Sequence, residues 1–379
     1  MHKPQEFEDI RPYHDEEINP ALRRIIGVTE FSKILDFLFP DTNKEQIIRE
    51  LTQTYTALDF QRRFMHPLVN SIVLKTSKGL TTSGFDRLKP GTPYLCVANH
   101  RDIVLDSAIL QVVLLDHGHE TSEITFGSNL MINQFIIDLG KVNRMFKVYR
   151  GGNRMELFRN SQILSAYLRY TIIQKKTSAW IAQRNGRTKD GNDRTETGVL
   201  KMFNISGTSD FRQSFEELNI VPLSISYEYE PCCAFKIKEL MAAVQGIPYQ
   251  KEPKEDFVSI ITGITQQKGR IHLAACAPVN EYLHETDGLQ SANDKISKLA
   301  VLIDSSIYNH FRLWPTHYIA YDLLNRGRKF ENQYSPAELE EFKAYMNKEL
   351  SIFAGDTAQQ KELLLKIYAY PVINSGLAD

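Results

Sequence analysis

The sequence predicts an α/β fold, in which a mostly parallel central sheet is flanked by helices and both ends of the chain are helical. Short apolar runs recur between about residues 90 and 280, and amphipathic stretches separate most of them. This alternation is typical of parallel strands connected by helices. Outside this part the pattern is mostly helical. We therefore divide the chain into a helical region over 1–70, an α/β domain over 71–285 and a helical region over 286–379 that packs on the domain.

The first region is predicted to be helical because apolar residues recur at helical spacing over 16–39. Pro40 ends this stripe, and residues 41–43 offer a cap for a second helix that runs towards Met65. The segment 72–82 is rich in β-branched residues, which predicts a hairpin or two short strands.

Six apolar runs of the α/β domain read as strands: 94–98, 124–127, 146–149, 179–183, 221–227 and 271–275. The stretches between most of them read as helices, at 103–115, 131–139, 154–174, 211–218 and 255–267. In the last region, Pro336 after the cap residue Ser335 predicts the start of a late helix.

Composition and charge limit the class of protein. Hydrophobic residues make up 42% and charged residues 24% of the chain, and the net charge is −1. These values are ordinary for a globular protein. They give no global argument for binding to nucleic acid or to an anionic membrane, and we expect no nucleic-acid partner.

The four cysteines show no metal-ligand spacing, so we expect reduced thiols in a cytoplasmic protein. The N-terminus is acidic and polar, unlike a signal peptide. No stretch approaches the roughly 20 apolar residues of a spanning helix. The expectation is a protein that touches a membrane without crossing it.

His100 is the first candidate for chemistry. It follows the apolar run 94–98, and Asp106 stands six residues later, where a second apolar run begins. A histidine at a strand end with a nearby carboxylate is a candidate general base with its orienting partner. Asp102 is a rival partner, although it also suits a helix cap. The structural alternative is a loop histidine with an ordinary hydrogen bond.

A second candidate is the segment 146–154, where a strand delivers Arg150 into a Gly-Gly turn and Arg154 opens the next helix. Two guanidinium groups around exposed backbone N–H groups suit a phosphate. The structural alternative is a turn with solvated arginines.

A third candidate is the loop 181–198, in which Arg187 and Lys189 stand among glycines. These cations suit a further part of an anionic substrate, and the alternative is a charged surface loop. Gly186 and Gly191 have the spacing of a nucleotide-binding loop, but Asn192 and the residue after it stand where Lys and Ser or Thr are needed. We therefore exclude ATP and GTP. The chain also lacks a Gly-x-Ser-x-Gly elbow and a His-Glu-x-x-His motif, which favours a direct transfer without an acyl-enzyme or a metal.

Taken in order, these pieces resemble the glycerolipid acyltransferase superfamily of lysophosphatidic acid and glycerol-3-phosphate acyltransferases, in its bacterial type. The resemblance covers about residues 90–230. The family's histidine and aspartate are separated by four residues, whereas five separate His100 from Asp106. The second block is the strand ending in Arg150, and the fourth is the Val-Pro step at Pro222. In the third block Asn185 stands in place of the family's glutamate.

The resemblance implies transfer of a fatty acyl group from acyl-CoA or acyl carrier protein to a hydroxyl of 1-acyl-glycerol 3-phosphate, in phospholipid biosynthesis, with no cofactor beyond the acyl donor. His100 would be the general base and Asp106 its partner. The substrate-binding residues would be Asn99, Arg150, Arg154, Gly186, Arg187 and Lys189. The alternatives are acylation of glycerol 3-phosphate or another lipid hydroxyl, and a non-catalytic protein that binds a lipid phosphate or an acyl carrier on the same scaffold.

A lipid acceptor implies contact with the inner membrane as a peripheral protein. The early helices are the candidate contact, because they mix basic with apolar residues as interfacial helices do. These residues are Arg23, Arg24, Ile25, Ile26, Phe31, Lys33, Phe37, Arg62, Arg63 and Phe64. The alternative is that this stripe packs on the α/β domain.

Overall fold

A seven-stranded sheet forms the centre of the molecule in a computed structural model, which describes residues 4–29, 31–38, 43–355 and 357–378. The strand order is β1-β7-β6-β2-β5-β3-β4. β6 and β7 pair antiparallel, and all other neighbours in this sheet pair parallel. The predicted α/β class with a mostly parallel sheet is therefore confirmed. The strands are β1 (Leu80–Ser83), β2 (Leu95–Ala98), β3 (Glu123–Gly127), β4 (Met145–Val148), β5 (Ala179–Ala182), β6 (Ile220–Tyr227) and β7 (Ile271–Ala275).

The helices of the described residues lie on both faces of this sheet and at both ends of the chain. In the first half they are α1 (Asp15–Ile26), α2 (Phe31–Leu38), α3 (Lys44–Thr52), α4 (Ala57–Phe60), α5 (His66–Thr76), α6 (Leu105–Asp116), α7 (Gln134–Val142) and α8 (Arg154–Ile173). In the second half they are α9 (Thr197–Asn204), α10 (Phe211–Glu216), α11 (Cys233–Val244), α12 (Glu255–Thr265), α13 (Ala292–His310), α14 (Pro315–Leu324), α15 (Pro336–Leu350) and α16 (Ala358–Asn374).

The central strands are apolar because both of their faces are covered. Alternate residues of β2 and β5 belong to two different cores, as the two-residue period of a strand requires. Leu95 and Val97 pack with α8, α9 and α13, whereas Cys96 and Ala98 pack with α5 and α6. Two further clusters lie outside the sheet, one joining the N-terminal helices to α7 and one joining α11 to α14, α15 and α16. The division into three regions stays a prediction.

The predicted hairpin at 72–82 is wrong. Residues up to Thr76 belong to α5, and only Leu80–Ser83 forms a strand. The start of the β-branched run also carries helical spacing, because Val73 and Thr76 are three residues apart and both are buried, on one helical face with Val69 of the preceding turn.

The N-terminal helical stripe is interrupted, since the chain forms α1 and α2 rather than one helix over 16–39. Asn43 caps α3 as predicted, and accepts the backbone N–H groups of Glu45 and Gln46. Pro40 and the cap residues 41–42 lie outside the described residues. The next helix ends at Thr52 instead of running on to Met65, and the chain then passes through α4 and one π-helical turn into α5.

The apolar residues of the proposed membrane stripe face inward. Ile25, Phe31 and Phe64 are buried in one cluster with Val142 of α7, and Ile26 packs against it. For these residues the structure corrects the expectation of a membrane contact and favours packing on the domain, because their apolar surface is already covered. The side chains of Lys33 and Phe37 lie outside the described residues.

Within the part of the chain that the structure describes, no helix combines the length and apolarity that crossing a bilayer requires.

Candidate active site

His100 stands at the carboxyl end of β2, in the loop that leads into α6. In open α/β sheets this edge is where ligands bind. The backbone carbonyl of His100 accepts the N–H of Thr188 at 2.7 Å. Thr188 belongs to the loop after the neighbouring strand β5. The loops after β2 and β5 therefore meet at His100.

The imidazole of His100 is held by Asp106. The Nδ1 atom lies 2.8 Å from Asp106 Oδ2, and the His100 side chain is 14% exposed while that of Asp106 is 1% exposed. The edge of the ring also meets Trp180 of β5, with ring centroids 5.2 Å apart. No group of the described residues hydrogen-bonds to Nε2. The ring is therefore anchored on one side and available as a base on the other.

The five residues between His100 and Asp106 are accommodated because their loop folds around the Asp106 carboxylate. Asp106 Oδ2 also accepts the backbone N–H groups of Arg101, at 2.5 Å, and Asp102, at 2.9 Å. The other oxygen, Oδ1, accepts the hydroxyl of Tyr227 at 2.7 Å. Burial alone raises the pKa of Asp106, but the hydrogen bonds and the nearby imidazole outweigh it and hold this pKa below its usual value. Asp106 is thus ionised and fixes the His100 proton on Nδ1.

Asp102 has a different environment, which decides between the two carboxylates. Its Oδ1 accepts the N–H groups of Val104 and Leu105 at 2.9 and 2.8 Å, and so caps the start of α6. Its Oδ2 is buried without a hydrogen-bond partner and packs against Gly263 of α12. Burial and the charge of Asp106 raise the pKa of Asp102. The partner of His100 in this structure is therefore Asp106.

The side chain of Asn99 lies inside the protein. Its side chain is fully buried, and its amide exchanges two hydrogen bonds with the backbone of Ile225 on β6, at 2.7 and 2.9 Å. The same Nδ2 atom donates to Asp193 at 2.9 Å. Asn99 therefore fixes the end of β2 against β6 from within.

A buried ion network lies beneath His100, and sequence reasoning missed it. The guanidinium of Arg101 pairs with Asp193 and with Glu230, to which it donates at 2.9 Å. Glu230 also pairs with the fully buried Lys236, whose Nζ donates to the carbonyl oxygen of Arg101 at 2.8 Å. Each charge of the network faces an opposite charge, as buried ions require. The sequence did carry a signal for this network, namely the acidic residues directly after the apolar run of β6.

The C-terminal region closes the base of this network. The backbone N–H of Glu230 donates to the hydroxyl of Tyr368 on α16 at 2.7 Å. Gly191, whose carbonyl accepts from Arg101, lies so close to Ile367 that a Cβ would stand 2.1 Å from its carbonyl oxygen. The φ of Gly191 is +83°, which also favours glycine.

The loop after β5 brings Arg187 and Lys189 close to His100. Arg187 is buried, and its Nη1 atom has no hydrogen-bond partner among the described residues. Lys189 pairs with Glu239 of α11, and burial together with the charge of Arg187 lowers the pKa of Lys189 to about 8. Gly186 turns the loop with a φ of +81°.

Arg150 and Arg154 lie on the same edge of the sheet but away from His100. They follow β4, three strands from β2, which corresponds to about 14 Å at ~4.8 Å per strand. Both side chains are exposed, and neither forms an ion pair with any described residue. The structure therefore places these two cations at the rim of the edge, whereas Arg187 and Lys189 lie nearer to its centre.

A cavity of about 200 Å³ opens beside the end of β4, between α8 and α9. Its lining is mixed, with Tyr149 and Glu196 at the polar side and Leu157, Val199 and Met202 at the apolar side. Glu196 also accepts the backbone N–H of the exposed Asn185 at 3.1 Å. In the described residues no group of three or more His, Cys, Asp and Glu side chains is arranged to hold a metal ion.

Comparison with known proteins adds little to this geometry. No protein-family model matches the chain, and no curated protein does. Among solved structures, the chain is similar to the 1-acyl-sn-glycerophosphate (LPA) acyltransferase PlsC from Thermotoga maritima, with a TM-score of 0.41 and 11% sequence identity. That match covers 76% of this chain and 92% of the other. A likeness this distant carries no argument, so the function is argued from the site itself.

Proposed function

We propose that this protein is an O-acyltransferase that moves a fatty acyl group from acyl-CoA or acyl carrier protein to the free hydroxyl of 1-acyl-glycerol 3-phosphate. The observation that carries the proposal is the contact of 2.8 Å between His100 Nδ1 and Asp106 Oδ2, with Nε2 left free at the carboxyl edge of the sheet. The sequence motifs around this pair and their order support the choice of reaction.

In the proposed reaction, His100 Nε2 takes the proton from the acceptor hydroxyl while its oxygen attacks the thioester carbonyl. Asp106 stabilises the imidazolium that forms. The tetrahedral intermediate then collapses, the C–S bond breaks, and the proton passes from Nε2 to the leaving sulfur. The products are the new ester and the free thiol, and His100 returns to its initial state.

Charge at the same edge supports a phosphate-bearing acceptor. Arg187 has an unpartnered Nη1 atom behind the His100 loop, and Lys189 is beside it. Arg150 and Arg154 supply further exposed cations at the rim. Arginine suits this role because its guanidinium binds phosphate oxygens through two N–H groups. The acceptor would lie between these groups, with its hydroxyl at His100 and its phosphate towards the arginines.

A second candidate function is non-catalytic binding of a lipid phosphate or an acyl carrier. Asn185 favours it, because this exposed loop residue lacks the carboxylate that the resembled family carries at the position. This candidate requires binding of the same ligands without turnover. In either case we propose a cytoplasmic protein at the surface of the inner membrane.

The test is a labelled acyl-transfer assay that combines acyl-CoA or acyl carrier protein with glycerol 3-phosphate or 1-acyl-glycerol 3-phosphate. We expect turnover with 1-acyl-glycerol 3-phosphate, and a loss of about 10²–10⁴-fold in His100→Ala, the contribution typical of a general base. His284→Ala is the matched control because His284 is exposed and remote from the sheet edge. Turnover by His100→Ala at the level of His284→Ala would contradict the proposal, and ligand binding without any turnover would favour the second candidate.

A further inference from the structure

The first two turns of α8 project from the molecule. We call residues 153–159 the α8 tip. Every side chain from Asn153 to Arg159 is exposed, and three of them are large and apolar: Met155 is 81% exposed, Phe158 57% and Leu157 45%. Single exposed apolar residues are normal on a protein surface, but a group of three on one protrusion indicates an interaction site.

The same protrusion is basic. Arg154 and Arg159 belong to it and Arg150 directly precedes it, whereas Glu156 is its only acidic residue. Glu156 is engaged locally, since its carboxylate accepts the N–H of Asn153 at 2.8 Å. No ion pair joins any of the three arginines to another described residue, although Glu6 and Glu196 lie in the neighbourhood. The tip therefore combines free positive charge with uncovered apolar surface.

Further apolar side chains continue this surface along the carboxyl edge of the sheet. The N–H of Arg150 donates to Ser128 at 2.9 Å, which ties the end of β4 to the loop that carries Ile132. Ile132 is 72% exposed. In the same loop, Asn129 donates to Asp256 of α12, next to the exposed Phe257. The uncovered apolar residues thus border the edge at which His100 lies.

We propose that the α8 tip, together with Ile132, is the surface through which this protein binds an anionic lipid bilayer. The tip is convex, so its side chains can enter the headgroup region without a complementary pocket. Met155, Leu157 and Phe158 would lie at the boundary of the acyl chains, and the arginines would contact the lipid phosphates. The described apolar residues of the N-terminal stripe do not offer this surface, because Ile25, Phe31 and Phe64 are buried in a core and Ile26 packs against it. The purpose of the contact rests on the proposed function, since it brings the His100 edge to a lipid acceptor.

The test is flotation of the full chain with vesicles of phosphatidylcholine alone or with an equal part of phosphatidylglycerol. We expect binding to the mixed vesicles that weakens at high salt. Met155→Ser/Phe158→Ser should weaken it by about tenfold or more because the apolar contact is lost. Arg159→Gln should weaken it by about fivefold, the effect of one basic residue near an anionic surface. The matched control is Val301→Ser, on α13, where the side chain is also 57% exposed.

Two assays separate this proposal from the proposed function. The double variant should keep its turnover on a short-chain, soluble acceptor and lose it on an acceptor presented in vesicles. If the chain has no transferase activity but the double variant fails to float, the surface is supported and the proposed function is not. Flotation of the double variant like Val301→Ser would overturn the proposal. So would a loss of affinity for acyl carrier protein with unchanged vesicle binding, because the tip would then be a protein-docking surface.

Discussion

Tyr227 donates its hydroxyl to Asp106 at 2.7 Å, from the strand that pairs directly with the strand before His100. Both side chains are buried. Burial and the charges of Asp106 and Asp102 raise the pKa of Tyr227 well above its usual value, so the hydroxyl stays a donor. Together with the N–H groups of Arg101 and Asp102, it occupies the oxygens of Asp106 and leaves the carboxylate one orientation towards His100.

Replacing Tyr227 with phenylalanine should lower kcat by about tenfold with little change in KM, because the imidazole loses its fixed orientation. The lost hydrogen bond is one of those that lower the pKa of Asp106. A carboxylate with one donor fewer attracts the proton on the imidazole more strongly, so the acid limb of the pH–rate profile moves to higher pH. Tyr334→Phe, which removes a similar hydrogen bond of 2.9 Å to Asp322 far from the site, is the control and should change neither quantity. An unshifted profile in Tyr227→Phe would show that the hydroxyl has no part in positioning the pair.

The two aspartates of the loop should respond differently to the same change. Asp106→Asn removes the ion that stabilises the imidazolium and should reduce kcat by about 10²-fold or more. Asp102→Asn keeps an oxygen that caps α6 and removes a carboxyl group whose pKa is raised by burial, so it should retain most of the activity. Steady-state kinetics of both variants checks this. Equal losses would mean that both carboxylates act on His100.

His317 should make the folded state sensitive to acid. It is buried, Arg101 is nearby, and burial is the main cause that lowers its pKa to about 3. Between pH 6.5 and about 3 the unfolded chain binds a proton that the folded chain does not. The free energy of unfolding should therefore fall by about 1.4 kcal/mol per pH unit as the pH drops through this range.

The measurement is urea denaturation of the wild type and of His317→Asn at several pH values between 7 and 5. His317→Asn keeps an acceptor for the N–H of Trp314, which donates to the His317 ring at 2.9 Å, and removes the titration. Its stability should depend less on pH than that of the wild type. Parallel curves for the two proteins would be evidence against a neutral, buried His317.

Lys236→Met should destabilise the protein by about 3–5 kcal/mol, because it leaves part of the charge of Glu230 buried and unpaired. Lys343→Met removes a pair with Glu340 of 2.8 Å between two exposed side chains, which is worth about 0–1 kcal/mol. The comparison of the two by denaturant unfolding tests whether the network under His100 supports the fold. A Lys236 variant as stable as the Lys343 variant would rule that out.

Apolar runs in the sequence predicted the strands whose burial follows from their own residues. The runs that became β2, β5 and β6 are apolar because central strands are buried on both faces. The β-branched content of residues 72–76 was misread as strand, because these residues form the end of α5, in which Val73 and Thr76 are buried. The direction of β7 against β6 has no signal in either strand, because it depends on how the connecting chain crosses the sheet.

The candidate site was also predicted only in part from the sequence. The closeness of His100 and Asp106 was predicted from their spacing, and the structure brings them into contact. Tyr227 and Lys236 were not predicted, since they meet the His100 loop across 121 and 135 residues of sequence. Asn99 was assigned to substrate by its position beside His100, but it lies inside the protein with its amide satisfied. The catalytic and binding roles themselves stay predictions.

The contacts of Tyr368 with Glu230 and of Ile367 with Gly191 have a consequence for biosynthesis. The loops after β5 and β6 reach their final positions against α16, which follows β7 in the chain and is therefore translated after it. During synthesis the strands of the sheet are thus complete before these two loops can be seated. On the proposed function, the nascent protein is expected to show no acyl transfer until α16 has emerged from the exit tunnel.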